Sequence, residues 1–140
     1  MDLDAVGRLH HVEIWVQDYA RAKDSFGWML ERLGYGLQDE WGSGPDGGRW
    51  QGAGEYIVLE SGPDVAGPYQ RLDAGMNHLA FHSGSRTHVD ALAAAAIGRG
   101  WTLMFADKHP YAGGAGHYAA YLENADGFEV ELVAATTPGI

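Results

Sequence analysis

The first part of the chain alternates between apolar and polar residues and then changes to a helical spacing. Between residues 9 and 16, Val12, Ile14 and Val16 share one face and His11 lies on the other, as in a half-buried strand. Apolar residues at helical spacing follow and end at a glycine. Three short strand-like runs come next, at about 36–41, 48–52 and 55–61. This part is therefore predicted to fold as βαβββ.

The same order of elements recurs after residues 62–75, a segment rich in glycine and proline. Residues 76–82 alternate like the first strand, and Ser85 can cap the helix that follows. The strand candidates after this helix are Thr102–Ala106, Tyr118–Glu123 and Phe128–Val133. The second part therefore also reads as βαβββ.

Two copies of one module indicate an internal duplication and define the expected fold class. We expect residues 1–140 to form one α+β domain, with module one at about 9–61, a linker at 62–75 and module two at about 76–135. A helix followed by a three-stranded meander predicts a curved mixed sheet with its helices on one face. The two modules would enclose a shared cleft.

Histidine and glutamate side chains lie on the strand faces that point away from the predicted helices. His11 and Glu60 do so on the first and last strands of module one, and His78 and Glu131 on those of module two. These faces also carry apolar residues, which is typical of a lined cleft. Imidazole and carboxylate groups together bind zinc, nickel, iron, manganese or cobalt. We therefore expect one divalent metal ion in the cleft.

Further candidates for acid–base chemistry lie near this set. Glu129 shares the face of Glu131 one pleat away, so it is either a base close to the metal or a carboxylate at the rim of the cleft. His109 and Tyr111 precede a loop that contains three glycines, at 113, 114 and 116. That loop is either a mobile lid that brings an acid or a base over the metal, or an ordinary connection.

An acidic composition limits the classes of partner. The formal net charge is -10 and no cluster of Lys and Arg occurs, so we expect neither nucleic acid nor a membrane as a partner. The chain has no cysteine, which excludes disulfides, thiolate nucleophiles and cysteine-ligated zinc. The first residues are acidic and poor in apolar side chains, unlike a signal peptide. We expect a cytoplasmic protein that binds a small-molecule substrate.

Three segments resemble those of the vicinal-oxygen-chelate superfamily, which includes glyoxalases, bleomycin resistance proteins and extradiol dioxygenases. The segments are Leu9–Val12, Asn77–Phe81 and Asp126–Leu132. The resemblance covers nearly the whole chain and implies metal ligands at His11, His78 and Glu131. Glyoxalases of this type have a fourth ligand, a glutamate on the fourth strand. Glu60 takes that place, whereas a slip of one residue in the alignment would place Leu59 there.

The resemblance implies a lyase or isomerase whose substrate chelates the metal through two neighbouring oxygens. In such a reaction Glu60 or Glu129 would move a proton between carbons. Members of this superfamily often form homodimers, sometimes with exchanged modules, so the ligands can come from two chains. We therefore expect a homodimer.

Two alternatives remain open because one superfamily hosts several chemistries. An extradiol-type Fe(II) dioxygenase would use His11, His78 and Glu131 alone, and a Glu60 without a role at the metal would favour it. A drug-binding protein like the bleomycin resistance proteins would need an acidic, aromatic groove and no metal. The loop Pro110–Gly116 does not match glyoxalase closely, and no basic pair for glutathione is evident.

Overall fold

Two four-stranded β-sheets, one from each half of the chain, form the framework of the computed structural model, which describes residues 3–136. After a short 3-10 helix (Leu3–Ala5), the first half contains β1 (His11–Trp15), α1 (Tyr19–Ala22), a π-helical turn (Lys23–Gly27), α2 (Trp28–Arg32), β2 (Gly36–Trp41), β3 (Gly47–Gln51) and β4 (Tyr56–Glu60). The second half contains β5 (Leu79–His82), α3 (Arg86–Ile97), β6 (Trp101–Leu103), β7 (Ala119–Asn124) and β8 (Glu129–Val133). The βαβββ order predicted for each half is confirmed.

The two sheets have the same topology. Their strand orders are β1-β4-β3-β2 and β5-β8-β7-β6, with the first pair of each sheet parallel and the other pairs antiparallel. In the described part of the chain no strand pairing joins one sheet to the other. The fold class, α+β with two duplicated modules, is confirmed.

Local sequence signals place the helices where they were expected. The Asp18 side chain accepts a hydrogen bond from the backbone of Arg21 at 3.1 Å, and Ser85 accepts one from His88 at 3.1 Å. Each side chain thereby satisfies a free N–H in the first turn of its helix. Within residues 3–136 none of the helices has both the length and the apolar character that a membrane span needs.

Two elements differ from the sequence-based expectation. The helix of the first half is divided by the π-helical turn, which periodicity alone does not reveal. The strand predicted at Thr102–Ala106 begins one residue earlier and ends at Leu103. It ends there because Phe105 has a φ of 51°, which is outside the range of a β-strand.

The helix-bearing faces of the two sheets share one apolar core. The Phe26 ring contacts those of Trp101 and Phe128, at centroid distances of 5.7 Å and 6.0 Å. The indole nitrogen of Trp101 donates a hydrogen bond of 3.0 Å to the carbonyl of Ser25, in the π-helical turn. None of the predicted metal ligands belongs to this core. The faces that carry them therefore lie on the outer side of each sheet.

Replacing Trp101 with phenylalanine is expected to lower the free energy of unfolding by about 2 kcal/mol, because a buried hydrogen bond between the halves is lost and a small cavity forms. Urea denaturation at a fixed protein concentration measures this. The control is Trp15→Phe, since Trp15 is 47% exposed and donates to the neighbouring Glu13; it should cost less than about 0.5 kcal/mol. Equal losses in the two variants would contradict a specific role for the Trp101–Ser25 contact.

Candidate metal centre

Glu131 is the centre of the polar cluster on the outer face of the second sheet. It lies in the middle of β8 and only 6% of its surface is exposed. Its carboxylate contacts His78 Nε2 at 3.1 Å and forms a short contact with His117 Nε2. The hydroxyl of Tyr121, directly opposite on β7, donates to the same carboxylate. His78 and Glu131, predicted to lie together, are thus brought together.

The surroundings of Glu131 determine its charge. Burial alone would raise the pKa of this carboxyl, but the hydrogen bonds from His117, Tyr121 and His78 outweigh burial and hold the pKa below its ordinary value. Burial and the adjacent Glu131 charge raise the pKa of Tyr121 to about 12. At neutral pH the site therefore contains a carboxylate anion and a protonated phenol.

The orientation of His78 is suited to a cation. Its Nδ1 lies 2.7 Å from the side-chain oxygen of Asn77, an acceptor, so Nδ1 carries the proton. If a metal ion took the place of the Nε2 proton, the Nε2 lone pair would lie beside the Glu131 carboxylate. Two electron-pair donors that face each other fit a bound metal ion, and the Asn77 contact is the outer hydrogen bond that metal-ligating histidines commonly have.

His117 is the member of this cluster that the sequence analysis did not assign to the site. His117 directly follows Gly116, the last of the three glycines in the loop. Counting back by twos from Tyr121, which lies opposite Glu131, does reach His117, so the alternation of β7 contained the signal. The loop passes close to it: a Cβ atom on Gly113 would lie 2.5 Å from the Tyr121 hydroxyl and 2.6 Å from the His117 ring.

Glu129 is a second buried carboxylate on the same face. One of its oxygens lies 3.9 Å from His78 Nδ1, and the other lies 3.2 Å from Arg71 Nε, an ionic contact without good hydrogen-bond geometry. Burial is the main cause that raises its pKa, while His78 and Arg71 oppose the rise. A carboxyl group of raised pKa beside the predicted metal ligands His78 and Glu131 is suited to proton transfer.

His11 lies on the outer face of the first sheet, away from Glu131. Its ring stacks on Tyr56 at a centroid distance of 4.7 Å, and its Nδ1 lies 2.9 Å from Nδ1 of His10. His11 is solvent-exposed, and its contacts are with residues of its own half of the chain. Within one chain, the structure therefore does not bring this predicted ligand to His78.

Glu60 also lies apart from the Glu131 cluster, and the strand register explains why. In the second sheet Glu131 lies opposite Ala80, two residues after His78. The equivalent position in the first sheet is opposite Glu13, two residues after His11, and it is occupied by Val58. Neither Glu60 nor its alternative Leu59 therefore occupies the place equivalent to Glu131. Glu60 lies one pleat further, about 7 Å along the strand, and accepts a 2.6 Å hydrogen bond from the Trp41 indole.

His109 and Tyr111 pack on the helix side of the second sheet. His109 lines a small cavity against α3, together with Asp90 and Ile97. The Tyr111 ring packs edge-on against Tyr118, whose hydroxyl donates to Asp90 at 2.6 Å. The structure thus does not bring these two predicted acid–base residues to Glu131, and His117 is the residue near the loop that reaches it.

The predicted ligands are therefore divided between two faces. Among residues 3–136 no group of three or more His, Asp or Glu side chains has an arrangement that would hold a metal ion. The second half supplies His78 and Glu131 in a suitable orientation, and the first half supplies His11 on its own outer face. Imidazole and carboxylate groups fit a divalent metal ion, but within one chain His78 and Glu131 lie on one sheet and His11 lies on the other.

Comparison with known proteins identifies the family. The model of the Glyoxalase/Bleomycin resistance protein/Dioxygenase superfamily matches residues 10–121. The chain belongs to this superfamily. One relative is the uncharacterized protein YqjT of Bacillus subtilis (strain 168). Its sequence is 38% identical over 128 residues, and the match covers 90% of this chain and 98% of that protein.

Solved structures place the chain in the same superfamily fold. The crystal structure of a candidate glyoxalase from Bacillus halodurans has a TM-score of 0.88 and 35% identity, with 96% of this chain and 100% of that chain covered. The fosfomycin resistance protein FosX of Listeria monocytogenes, solved with Mn(II) and sulfate, has a TM-score of 0.63 and 16% identity over 93% of each chain. At 16% identity the likeness to FosX shows the fold alone.

Proposed function

We propose that this protein is a divalent-metal-dependent enzyme of lyase or isomerase type, acting on a small substrate that binds the metal through two neighbouring oxygens. The observation that carries the proposal is the orientation of His78, whose Nε2 faces the Glu131 carboxylate while Asn77 accepts the Nδ1 proton. A buried carboxylate and a correctly oriented imidazole are two of the three ligands that such a site needs.

The third ligand in this proposal is His11 of the partner subunit in a homodimer. Within one chain the two helix-bearing faces are buried against each other, so the outer faces can meet only those of another copy. His11 is exposed on such a face and its ring is oriented by stacking on Tyr56. Two copies in a two-fold arrangement would form two equivalent sites.

Glu129 is the proposed base. A bound divalent ion would supply Lewis-acid stabilisation of negative charge on the substrate oxygens. Glu129 would take the proton from the carbon beside those oxygens and return it to the adjacent carbon. Its burial and its contact with Arg71 hold the carboxyl group in one place, and its raised pKa suits both accepting and releasing a proton. Tyr121 would keep Glu131 ionised and in position.

A second candidate function is supported by the position of Glu60. Because this carboxylate binds the Trp41 indole, the proposed site has two histidines and one carboxylate. That set is also typical of Fe(II) enzymes that use oxygen, including extradiol-type dioxygenases. The metal that the protein retains separates the two candidates.

Elemental analysis of protein purified without chelators or immobilised nickel tests the proposal. We expect about one equivalent of manganese, cobalt, nickel or zinc per chain. About one equivalent of iron would instead favour the dioxygenase. A protein that takes up no metal, even after incubation with each ion, would contradict both candidates and leave metal-free drug binding as the function to test.

A further inference from the structure

A cavity of about 440 Å³ lies beside the Glu131 cluster on the outer face of the second sheet. We call it the Phe105 pocket, and its walls include Arg71, Leu72, Phe105, Lys108, Tyr121 and Glu129. Tyr121 and Glu129 belong both to these walls and to the surroundings of the proposed metal site. A ligand held at the metal would therefore have this pocket as a place for its remaining atoms.

Phe105 is held in a conformation that is unfavourable for its residue type. Its φ of 51° lies in the left-handed region, where a bulky side chain is uncommon and glycine or asparagine is the usual solution. The backbone N–H groups of Lys108 and His109 both donate to its carbonyl at 2.9 Å and hold this conformation. The strained turn directs the ring edge-on towards Tyr121, at a centroid distance of 5.6 Å. Strain of this kind is concentrated at functional sites.

The pocket presents apolar surface to solvent. Phe105 is 49% exposed and Leu72 is 76% exposed, although both are large apolar residues. Exposed apolar side chains that line one cavity are typical of a binding site for an apolar group. The edge-to-face contact between Phe105 and Tyr121 also favours a flat, aromatic ligand at this wall.

The two cations of the pocket differ in their availability. Arg71 is neutralised by Glu123, at 2.9 Å, and by Glu129, at 3.2 Å. The structure pairs Lys108 with no carboxylate in the described part of the chain. In a protein with a net charge of -10, an unpaired lysine on the wall of an apolar cavity is a specific attraction for an anionic group.

We propose that the Phe105 pocket binds the far end of the substrate, and that the substrate is a small aromatic acid with two neighbouring oxygens at one end and a carboxylate at the other. The neighbouring oxygens would reach the metal, the ring would lie against Phe105 and Leu72, and the carboxylate would bind Lys108. This inference rests on the proposed metal site, because the pocket is taken to bind the part of the substrate that does not contact the metal ion.

Two matched probes test it by calorimetry on protein loaded with Mn(II). The probe 4-carboxymandelate has the aromatic ring, the neighbouring oxygens and the second carboxylate, whereas mandelate lacks only that carboxylate. We expect 4-carboxymandelate to bind about twofold to fivefold more tightly, the range of a partly exposed ion pair.

The Lys108→Gln variant should abolish the difference in affinity between the two probes without weakening the binding of mandelate. Lys23→Gln is the control, since Lys23 is paired with Glu40 in the first half.

The Phe105→Gly variant distinguishes a loss of probe binding from a loss of folding stability. Glycine adopts a φ of 51° without strain, which offsets the packing lost with the half-exposed ring, so the midpoint of thermal unfolding should change little. Both probes should nevertheless bind about fivefold to tenfold more weakly, because the aromatic wall is lost. Ile97→Ala, which truncates an exposed apolar residue outside the pocket, should leave both affinities unchanged.

The outcomes distinguish this inference from the function it rests on. Metal-loaded protein that binds both acids equally, or neither, with no effect of Lys108→Gln or Phe105→Gly, would overturn the substrate class and leave the metal site standing. Protein that binds no metal would overturn both. A preference for 4-carboxymandelate that depends on Lys108 would support the inference.

Discussion

Glu131→Gln is expected to weaken the binding of a divalent metal ion by about 100-fold or more, since the loss of even an outer partner of a metal ligand costs up to that much. The neutral amide is a poor ligand, and its NH₂ group can point at the imidazole lone pairs where the carboxylate now attracts a cation. Competition with a chromophoric chelator measures the affinity. Far-ultraviolet circular dichroism checks that the variant, changed at a position only 6% exposed, still folds.

Glu60→Gln is the matched control, because it makes the same chemical change on the last strand of the other sheet. The Glu60 carboxylate accepts the Trp41 indole hydrogen, and a glutamine oxygen can accept it equally well. We expect the metal affinity of this variant to stay within about threefold of the parent protein, as for a residue that is not a ligand. An equal loss in both variants would show that Glu60 is the fourth ligand that the family resemblance implied.

The parts of the fold that the sequence predicted depend on short-range patterns. The alternation of β1, β5 and β8 shows which side chains point away from the helices, and it requires no knowledge of which strands pair. The proximity of His78 and Glu131 followed from this alternation together with the duplicated module. Capping by Ser85 was equally local, because a cap acts within its own helical turn.

The position of Glu60 depended on a register that no local pattern contains. Alternation placed it on the correct face, but only the pairing of β1 with β4 shows that it lies opposite Trp15 and that Val58 lies opposite Glu13. A shift of two residues keeps a side chain on the same face and moves it about 7 Å along the strand. The alternation of a single strand could not detect such a shift.

The loop between β6 and β7 was the other feature whose path the sequence did not predict, although the alternation of β7 contained a signal for His117. His109, Tyr111 and His117 are all near its glycines, and composition gives no means to choose among them. The positive φ of Phe105 turns the chain out of the strand, so that His109 packs against α3 while His117 returns along β7 to Glu131. The acid–base roles predicted for His109 and Tyr111 remain predictions without a contact that supports them.

A mixture of two defective variants should recover metal binding if the site is shared between two copies. His11→Ala and Glu131→Gln are each expected to bind no metal tightly. Unfolding them together and refolding them lets the chains pair at random, so half of the dimers contain one chain of each kind. Each such dimer has one intact site, formed by the unaltered His11 of one chain and the unaltered Glu131 of the other. About a quarter of the metal-binding capacity of the parent protein should therefore return.

Mixing His78→Ala with Glu131→Gln is the decisive control, because His78 and Glu131 lie on the same face of the same half of the chain. Every mixed dimer of that pair has a defect at both of its sites, so no capacity should return. Recovery in the first mixture and not in the second requires His11 to act across the interface between two copies. Recovery in neither mixture, with normal binding in the refolded parent protein, would mean that each chain closes its own site. The outward faces of the two sheets would then have to turn towards each other within one chain, against the shared core that Trp101 and Phe26 now form.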